Sequence, residues 1–355
     1  MDGLGMGHRN EYHFSAPKRI SFIRVLLRII FFLFLLVFSV SVISMALNTN
    51  PTLKTVDVSV TGLSNACDGF AVLHISDLNG ARFGDKQSRI GSLVAGKSYK
   101  AVVLTGDMLG ENGDPSAVIE LAGSLKTGVP IFYIPGDNDG PGVDPMLETV
   151  YTPAVLAMRD AGITLLDAPM FLSYGGKKIW FIPEYQYTLN LDNLRSNCDM
   201  QEQTAAQLGN TPQAATLLRS AAYYRDLAGR IDDARKSVSI DDAQIVLTHV
   251  PLSWDDVRSA VRNRDKENVF SLPYAALVLA GHKTGGGSRI PFVGAVYTPE
   301  DGFFPADENI IGLWNEMGVN QYISPGLTSG SQYILPIRVM NPPAIIILKL
   351  VRSVF

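Results

Sequence analysis

Residues 101–107 read AVVLTGD, a run of five strand-forming residues followed by a glycine and an aspartate. The run is too short for an ordinary helix, and its valines and threonine favour a pleated conformation. The glycine lets the chain turn at once, so the aspartate stands just beyond the strand end. The pattern recurs along the chain. Phe70–Ser76 (FAVLHIS) leads into Asp77-Leu78-Asn79, and Pro130–Ile134 leads into Pro135-Gly136-Asp137-Asn138-Asp139. Gln244–Thr248 leads into His249-Val250-Pro251, and Ala276–Ala280 leads into Gly281-His282-Lys283-Thr284 with Gly285-Gly286-Gly287 behind it. A single Gly-Asp is an ordinary turn, and a single histidine after a strand is ordinarily a hydrogen-bonded structural residue. Five such motifs in order, each closing an apolar strand, are not accounted for by turns. They predict a layered α/β fold whose ligands gather beyond the carboxyl ends of the strands. Carboxylates and imidazoles converging on one rim are what a hydrolytic metal site requires.

The segments between these strands complete the outline. Val56–Val60 (VDVSV) reads as an edge strand, and helices are expected over 86–97, 115–126 and 150–161, the last closed by Gly162. Strands at 163–174 and 177–183 are expected to pair about a Gly175-Gly176 turn. Residues 186–240 differ in composition, being rich in Ala, Gln, Leu and Arg. There Thr211-Pro212 supplies an N-cap and a proline at the first helical position, predicting a helix to about Lys236. The region reads as a helical insertion that either covers the site or merely covers a sheet edge.

From Ile29 to Leu47 the chain carries no charge. Nineteen residues at ~1.5 Å each span roughly 28 Å, close to the ~30 Å hydrocarbon core of a bilayer. Arg9, Lys18, Arg19, Arg24 and Arg28 precede the run, and the nearest cation after it is Lys54. This bias puts residues 1–28 in the cytoplasm as a basic tail and everything after Asn48 outside it. A cleaved signal peptide ending at Ser44-Met45-Ala46 is the competing reading, but the apolar run is longer than such segments usually are. The expected organisation is tail 1–28, transmembrane helix 29–47, linker 48–55 and a catalytic-type domain over 56–350 carrying the 186–240 insertion. With 46% hydrophobic and 18% charged residues the chain can bury a large core. A net charge of −4 with no basic patch gives no reason to expect nucleic acid as a partner. Cys67 and Cys198 are too few for a disulfide framework or a zinc knuckle, and they are not expected to pair.

The order of the motifs resembles that of the calcineurin-like metallophosphoesterases: Asp-x-His, Gly-Asp, Gly-Asn-His-Asp/Glu, a lone His, then Gly-His-x-His. Gly285–Glu300 (GGGSRIPFVGAVYTPE) and Tyr322–Pro343 (YISPGLTSGSQYILPIRVMNPP) resemble the corresponding segment and closing strands of a membrane-anchored bacterial branch. The resemblance implies a four-layer β-sandwich flanked by helices, one or two divalent ions (Mn, Fe, Zn or Mg) at one edge, and hydrolysis of a phosphate ester by metal-activated water. Carried over position by position, it implies Asp77, Asn79, Asp107, Asp137, His249 and His282 as metal ligands, with Asp107 bridging. It places Asn138 and Asp139 where the family has the histidine that helps protonate the leaving group and the carboxylate that orients it.

The departures are as informative. Asn79 and Thr284 stand where the family has histidines of its first metal site, and Asp137 stands where it has Asn. A full second site and a weak or empty first one are therefore expected. Asn138 cannot act as a general acid, because its amide does not titrate in the working range. Three readings follow: a phosphoesterase of reduced or altered activity on a phosphate-containing, lipid-linked or soluble substrate, an inactive binding protein on the same scaffold, or a nucleotidase or protein phosphatase. Lys283 reads first as a solvated loop lysine and second as a cation for phosphate. His74, inside a strand, reads as a core histidine, and His8 and His13 have no evident role. Tyr185, Tyr187, Trp254 and Phe303-Phe304 read as local packing, with a lipid- or base-binding pocket as the alternative.

Overall fold

The computed structural model describes residues 22–329 and 338–353. The chain divides into two units, Met1–Ile43 and Ser44–Phe355. The expected basic tail lies mostly outside the described residues, as do His8 and His13. Helix α1, Phe22–Leu47, begins seven residues ahead of the predicted Ile29 and so takes in Arg24 and Arg28. Its Phe22–Ser44 stretch has a mean hydropathy of 2.8, and its large apolar side chains are exposed, where those of a core helix would be buried. It is long and apolar enough to cross a membrane.

The second unit is built on two six-stranded sheets. The first contains β1 (Thr52–Val60), β2 (Ala71–Ile75), β3 (Ala101–Thr105), β4 (Ile131–Ile134), β5 (Ile163–Leu165) and the closing strand β16 (Ala344–Arg352), in the order β1-β16-β2-β3-β4-β5. β2 to β5 run parallel, and β16 is antiparallel to β2. The second contains β6 (Met170–Tyr174), β7 (Lys177–Pro183), β8 (Ala243–Leu247), β9 (Ala275–Ala280), β14 (Gly312–Glu316) and β15 (Val319–Ile323), in the order β14-β15-β9-β8-β7-β6. Two small hairpins lie between β9 and β14: β10–β11 (Arg289–Ile290 and Gly294–Ala295) and β12–β13 (Tyr297–Thr298 and Gly302–Phe303). β2, β3, β8 and β9 are buried at every residue, as parallel strands covered on both faces must be.

The sheets share one core. Val72, Val103 and Phe132 of the first pack with Phe181, Ile245 and Leu279 of the second. The first sheet's other residues, such as Leu73, Leu104 and Tyr133, pack with α2 (Ser88–Val94), α3 (Ser116–Ser124) and α4 (Pro153–Asp160). The second sheet packs through Val246 and Val278 with Val257 of α7 (Trp254–Arg262).

The helices expected over 86–97, 115–126 and 150–161 are present but shorter at both ends, as Ser88–Val94, Ser116–Ser124 and Pro153–Asp160. Three expectations need correction. The stretch 163–174 is not one strand: Ile163–Leu165 pairs with β4 in the first sheet, and Met170–Tyr174 crosses to the second and forms the Gly175-Gly176 hairpin. β1 starts at Thr52, inside the expected linker, because Thr52 to Thr55 extend the parallel ladder with β16. Within Tyr322–Pro343 only Tyr322-Ile323 are in a strand among the described residues, and the closing strand is the more apolar Ala344–Arg352.

The insertion is a helical pair, α5 (Leu191–Leu208) and α6 (Pro212–Ser237). Asn190 caps α5 by accepting from Asn193 N–H, and Thr211 caps α6 by accepting from Ala214 N–H. Leu191, Leu227, Ala228 and Ile231 pack with Ala168, and Ala234 packs with Trp180, Ile182 and Phe270. Cys67 and Cys198 are buried and free.

Candidate metal centre

The motifs that close β2, β3, β4, β8 and β9 meet at one rim, and glycines let them meet so closely. Gly106 has φ +85°, and a Cβ there would lie 2.5 Å from His249 Nδ1 and 2.6 Å from Gly136 Cα. A Cβ on Gly136 would in turn strike the Asp107 backbone and carboxylate. The turns after β3 and β4 are therefore pressed backbone to backbone beneath the ligands.

His249 is central. Its Nδ1 lies 2.7 Å from the Thr105 carbonyl, which can only accept, so Nδ1 carries the proton. Nε2 then faces the cluster: 3.4 Å from Asp107 Oδ1, 3.4 Å from His282 Nδ1 and 3.9 Å from Asp137 Oδ2. His282 Nδ1 is 3.1 Å from Asp137 Oδ2, while its Nε2 meets Glu300 Oε1 at 2.9 Å. Each ring thus turns one nitrogen inward and anchors the other on an oxygen, the arrangement that fixes the tautomer of metal-binding histidines. Two sets of ligand atoms lie within 4.8 Å of one another: Asp137, His249 and His282, and Asp77, Asp107 and His249. His249 belongs to both.

The residues present fit a divalent cation. Asp77 is fully buried, and its Oδ2 has no hydrogen-bond donor among the described residues. A buried carboxylate oxygen without a partner is costly. Burial pushes the Asp77 carboxyl up to about 6, against the pull of His249. Burial alone would lower His249, but the Asp107 contact and the charges of Asp77 and Asp107 raise it to about 9. Burial would raise Asp107, yet its contacts with His249 and Asn138 hold it below the usual carboxylate range. The cluster is negative and imidazole-containing, a donor set for Mn, Fe, Zn or Mg.

A profile of the calcineurin-like phosphoesterases matches residues 70–284, which spans all five motifs. The chain belongs to this family. The crystal structure of a phosphopantetheinyl hydrolase from Mycobacterium tuberculosis is also similar, at 11% identity over 72% of this chain and 89% of that chain, with a TM-score of 0.36. A likeness at that score carries no argument about function. Comparison with curated protein sequences finds no match.

Asn79, Asn138 and Thr284 are at the same rim. Asn79 donates through Nδ2 to Thr328 Oγ1 at 3.0 Å, and Thr328 Oγ1 donates to the Asp77 carbonyl at 2.8 Å. Asn138 donates its backbone N–H to Asp107 Oδ1 at 2.9 Å and its amide to Asp107 Oδ2 at 2.7 Å. Thr284 is fully buried, and its Oγ1 has no partner among the described residues. Backbone strain concentrates here: Asp77, Asn79, Asp107, His282 and Thr284 all have positive φ, between 43° and 66°. Such conformations are costly for a β-branched threonine and collect at functional sites.

Asp139 orients no histidine. Its Oδ1 accepts from Met108 and Leu109 N–H at 2.8 Å, and its Oδ2 from Gly136 N–H at 2.9 Å, so it ties the β3 turn to the β4 turn. Lys283 is neither solvated nor available for phosphate: it is buried and paired with Glu300 Oε2 at 3.1 Å and Asp301 Oδ2 at 2.8 Å. His74 is a core residue, fully buried, with Nε2 2.7 Å from Thr105 Oγ1. Burial lowers its pKa to about 3.

Beside His249 opens a cavity of about 530 Å³, walled by Ile134, Leu165, Leu189, Tyr185 and Leu227 among others. The insertion packs through Ala234 on β7, which is not an edge strand, and through Leu194 and Leu227 it walls the space next to the cluster. Of the aromatic residues singled out, Tyr185 lines this cavity; Tyr187 and Trp254, the latter the first residue of α7, pack against the Val246–Val257–Val278 cluster, and Phe303 and Phe304 are exposed. Sequence reasoning missed Glu300, the partner of His282, and Asp167 in the cavity wall, which binds Arg230 Nη1 at 2.8 Å and the Tyr151 and Tyr223 hydroxyls at 3.0 Å. Glu300 lies beyond the residues 70–284 that the family profile matches, and Asp167 has no local signal.

Proposed function

We propose that the chain is a membrane-anchored, metal-dependent phosphoesterase, acting on a phosphomonoester, phosphodiester or pyrophosphate that carries an apolar group. The observation that carries this reading is the pairing of the His249-centred cluster with the apolar cavity that opens against His249. Asp77, Asp107, Asp137, His249 and His282 would hold one or two divalent ions, and Asn79 would contribute at most its carbonyl. The bound ion lowers the pKa of water and neutralises charge on the phosphoryl oxygens. The protein's own groups position and tune that site. Thr105 O and Glu300 hold His249 and His282 in their tautomers. Leu165, Leu189 and Leu227 exclude water from the apolar part of the substrate. Asn138 is close enough to Asp107 to donate a hydrogen bond at the rim, but it cannot hand over a proton. Leaving groups that need no acid, such as the phosphate of a pyrophosphate, are therefore favoured.

The apolar, unburied α1 supports an anchor, and the cations before Ile29 support a cytoplasmic N-terminus with the second unit outside. These features, with Gly285–Glu300, support placement in the membrane-anchored bacterial branch. One observation favours the alternative, an inactive binding protein: the Asn138 amide already occupies Asp107 Oδ2 at 2.7 Å. Metal analysis of the purified full chain, followed by hydrolysis of aryl phosphodiesters and pyrophosphates, separates the two. Bound metal with turnover that EDTA abolishes is expected. Metal-loaded protein with no turnover on any phosphate ester establishes the binding reading instead.

A further inference from the structure

We propose that the β10–β11 hairpin inserts its apolar tip into the surface of the same bilayer that α1 crosses, and so holds the metal rim against the lipid headgroups. The inference rests on the proposed membrane anchor. The tip is Ile290-Pro291-Phe292-Val293, closed by Val293 N–H donating to Ile290 O at 3.1 Å. Phe292 is exposed over its whole surface (109%), Val293 is 58% exposed, and neighbouring Met340 is 50% exposed. Phe292 also has φ 66°, a strained conformation for an aromatic residue, and it is this turn that directs the ring outward to solvent. Soluble domains rarely present such a tip without a partner for it.

The partner is named by what the hairpin is attached to. Arg289 N–H, at its base, donates to Val339 O at 2.9 Å. The adjoining Arg338 carbonyl accepts from Ser44 Oγ at 3.1 Å and Asn48 Nδ2 at 2.7 Å, and Met340 N–H donates to Ser44 Oγ at 2.8 Å. Ser44 to Asn48 are the residues at which the apolar run gives way to polar sequence, so they mark the membrane boundary. The hairpin is thus hydrogen-bonded to the segment that meets the chain at that boundary, with its tip three residues from the bond. Cations gather at the same place: Arg89 donates to the Thr49 carbonyl, and Lys54 lies within reach of the charges of Arg289 and Arg338. Arg89 and Lys54 are exposed and match anionic headgroups at the boundary residues, whereas Arg338 is buried and bonded within the fold.

The same segment reaches the metal centre. Asn341 Nδ2 donates to the carbonyls of Thr284 and Gly287 at 2.8 Å, and Arg289 Nη1 donates to Gly285 O at 3.1 Å. One short strip of chain, Arg338 to Asn341, therefore bonds the foot of α1, the hairpin and the turn after His282. A tip seated in the headgroup layer would fix the height of that rim above the lipid, which suits a substrate whose phosphate is itself at the surface.

The test uses the full chain in vesicles of phosphatidylglycerol and phosphatidylcholine. Phe292→Cys carries an environment-sensitive fluorophore, and Ile240→Cys, which lies ahead of β8 at the opposite end of the strands, carries the same label as reference. Native Cys67 and Cys198 are buried and stay unlabelled. A blue-shifted emission at position 292, quenched by nitroxide-bearing lipids, with neither effect at 240, is the expected result. Water-like emission at both positions, from protein that resists alkaline carbonate extraction, overturns the hairpin contact and leaves the anchor standing. A blue shift at both positions overturns the assignment to the hairpin. Release of the chain by carbonate overturns the anchor and this inference with it.

Discussion

The rim has two halves built on the same backbone plan and furnished differently. On one side His249 and His282 each hold an outer partner, Thr105 O and Glu300, and turn the other ring nitrogen inward toward Asp137 and Asp107. On the other, Asn79 and Asn138 spend their amides on neighbours, Thr328 and Asp107, and Thr284 buries a hydroxyl without a described partner. Both halves keep positive φ, at Asp107 and His282 on the first and at Asp77, Asn79 and Thr284 on the second. The backbone is thus strained into the same form on both sides, but imidazoles furnish the first and amides and a hydroxyl furnish most of the second. Strain of this kind costs of order 1–3 kcal/mol per residue and persists only where the surroundings impose it. Turn geometry and ligand identity are separable: close packing such as Gly106 against Gly136 sets the former, and side chains set the latter.

The largest expected effect tests whether the two halves share one keystone. His249 is common to both ligand sets, so His249→Ala should remove all bound divalent metal from the purified chain by elemental analysis. Asp137→Asn, which touches only one set, should retain a measurable fraction. Equal loss in the two variants breaks the comparison.

The next effect is a gain. Restoring Asn79→His, Asn138→His and Thr284→His together refurnishes the depleted half. If the strained backbone still presents ligands there, hydrolysis of a phosphodiester with a poor leaving group should rise by ~10²–10⁴-fold, the usual worth of a positioned general acid. Metal content should rise with it. A folded triple variant with no gain means that the depleted half has been rebuilt for another purpose.

On the complete half, Glu300→Gln keeps the shape of the His282 partner and removes its charge. Metal affinity should fall by ~10–100-fold, as for other outer partners of ligating histidines. Titration with Mn²⁺ followed by intrinsic fluorescence or calorimetry reads this directly. No change would mean that Glu300 serves Lys283 alone, with which it also pairs at 3.1 Å.

How much of this was legible in the sequence depends on the range of the interactions involved. AVVLTGD and its counterparts disclose strand, turn and ligand within seven residues, and Thr211-Pro212 discloses the start of α6, because those determinants are local. The motif residues Asp77, Asp107, Asp137, His249 and His282 are brought together as their order implied. Glu300 reaches His282 from a loop eighteen residues on, and Asp167 gathers Arg230 and two tyrosines from distant elements. No spacing rule announces such contacts. Residues 163–174 read as one strand, yet Asp167-Ala168-Pro169 breaks the run, and β5 and β6 belong to different sheets, a choice made by tertiary pairing.

The smallest expected effect is also the sharpest test of the depleted half. Thr328 Oγ1 links Asn79 Nδ2 to the Asp77 carbonyl, so it ties the Asn79 side chain to the turn that carries Asp77. Thr328→Val keeps the shape and removes both hydrogen bonds. Each such bond is worth ~0.5–1.5 kcal/mol net, so a modest fall in Tm is expected in chelator, where no ion contributes. If Asn79 holds no ion, metal stoichiometry and affinity should match the parent chain, because the His249–His282–Asp137 set does not include it. If affinity falls along with Tm, the Asn79 carbonyl is a ligand, its orientation depends on Thr328, and the two halves differ in strength of binding and not in kind.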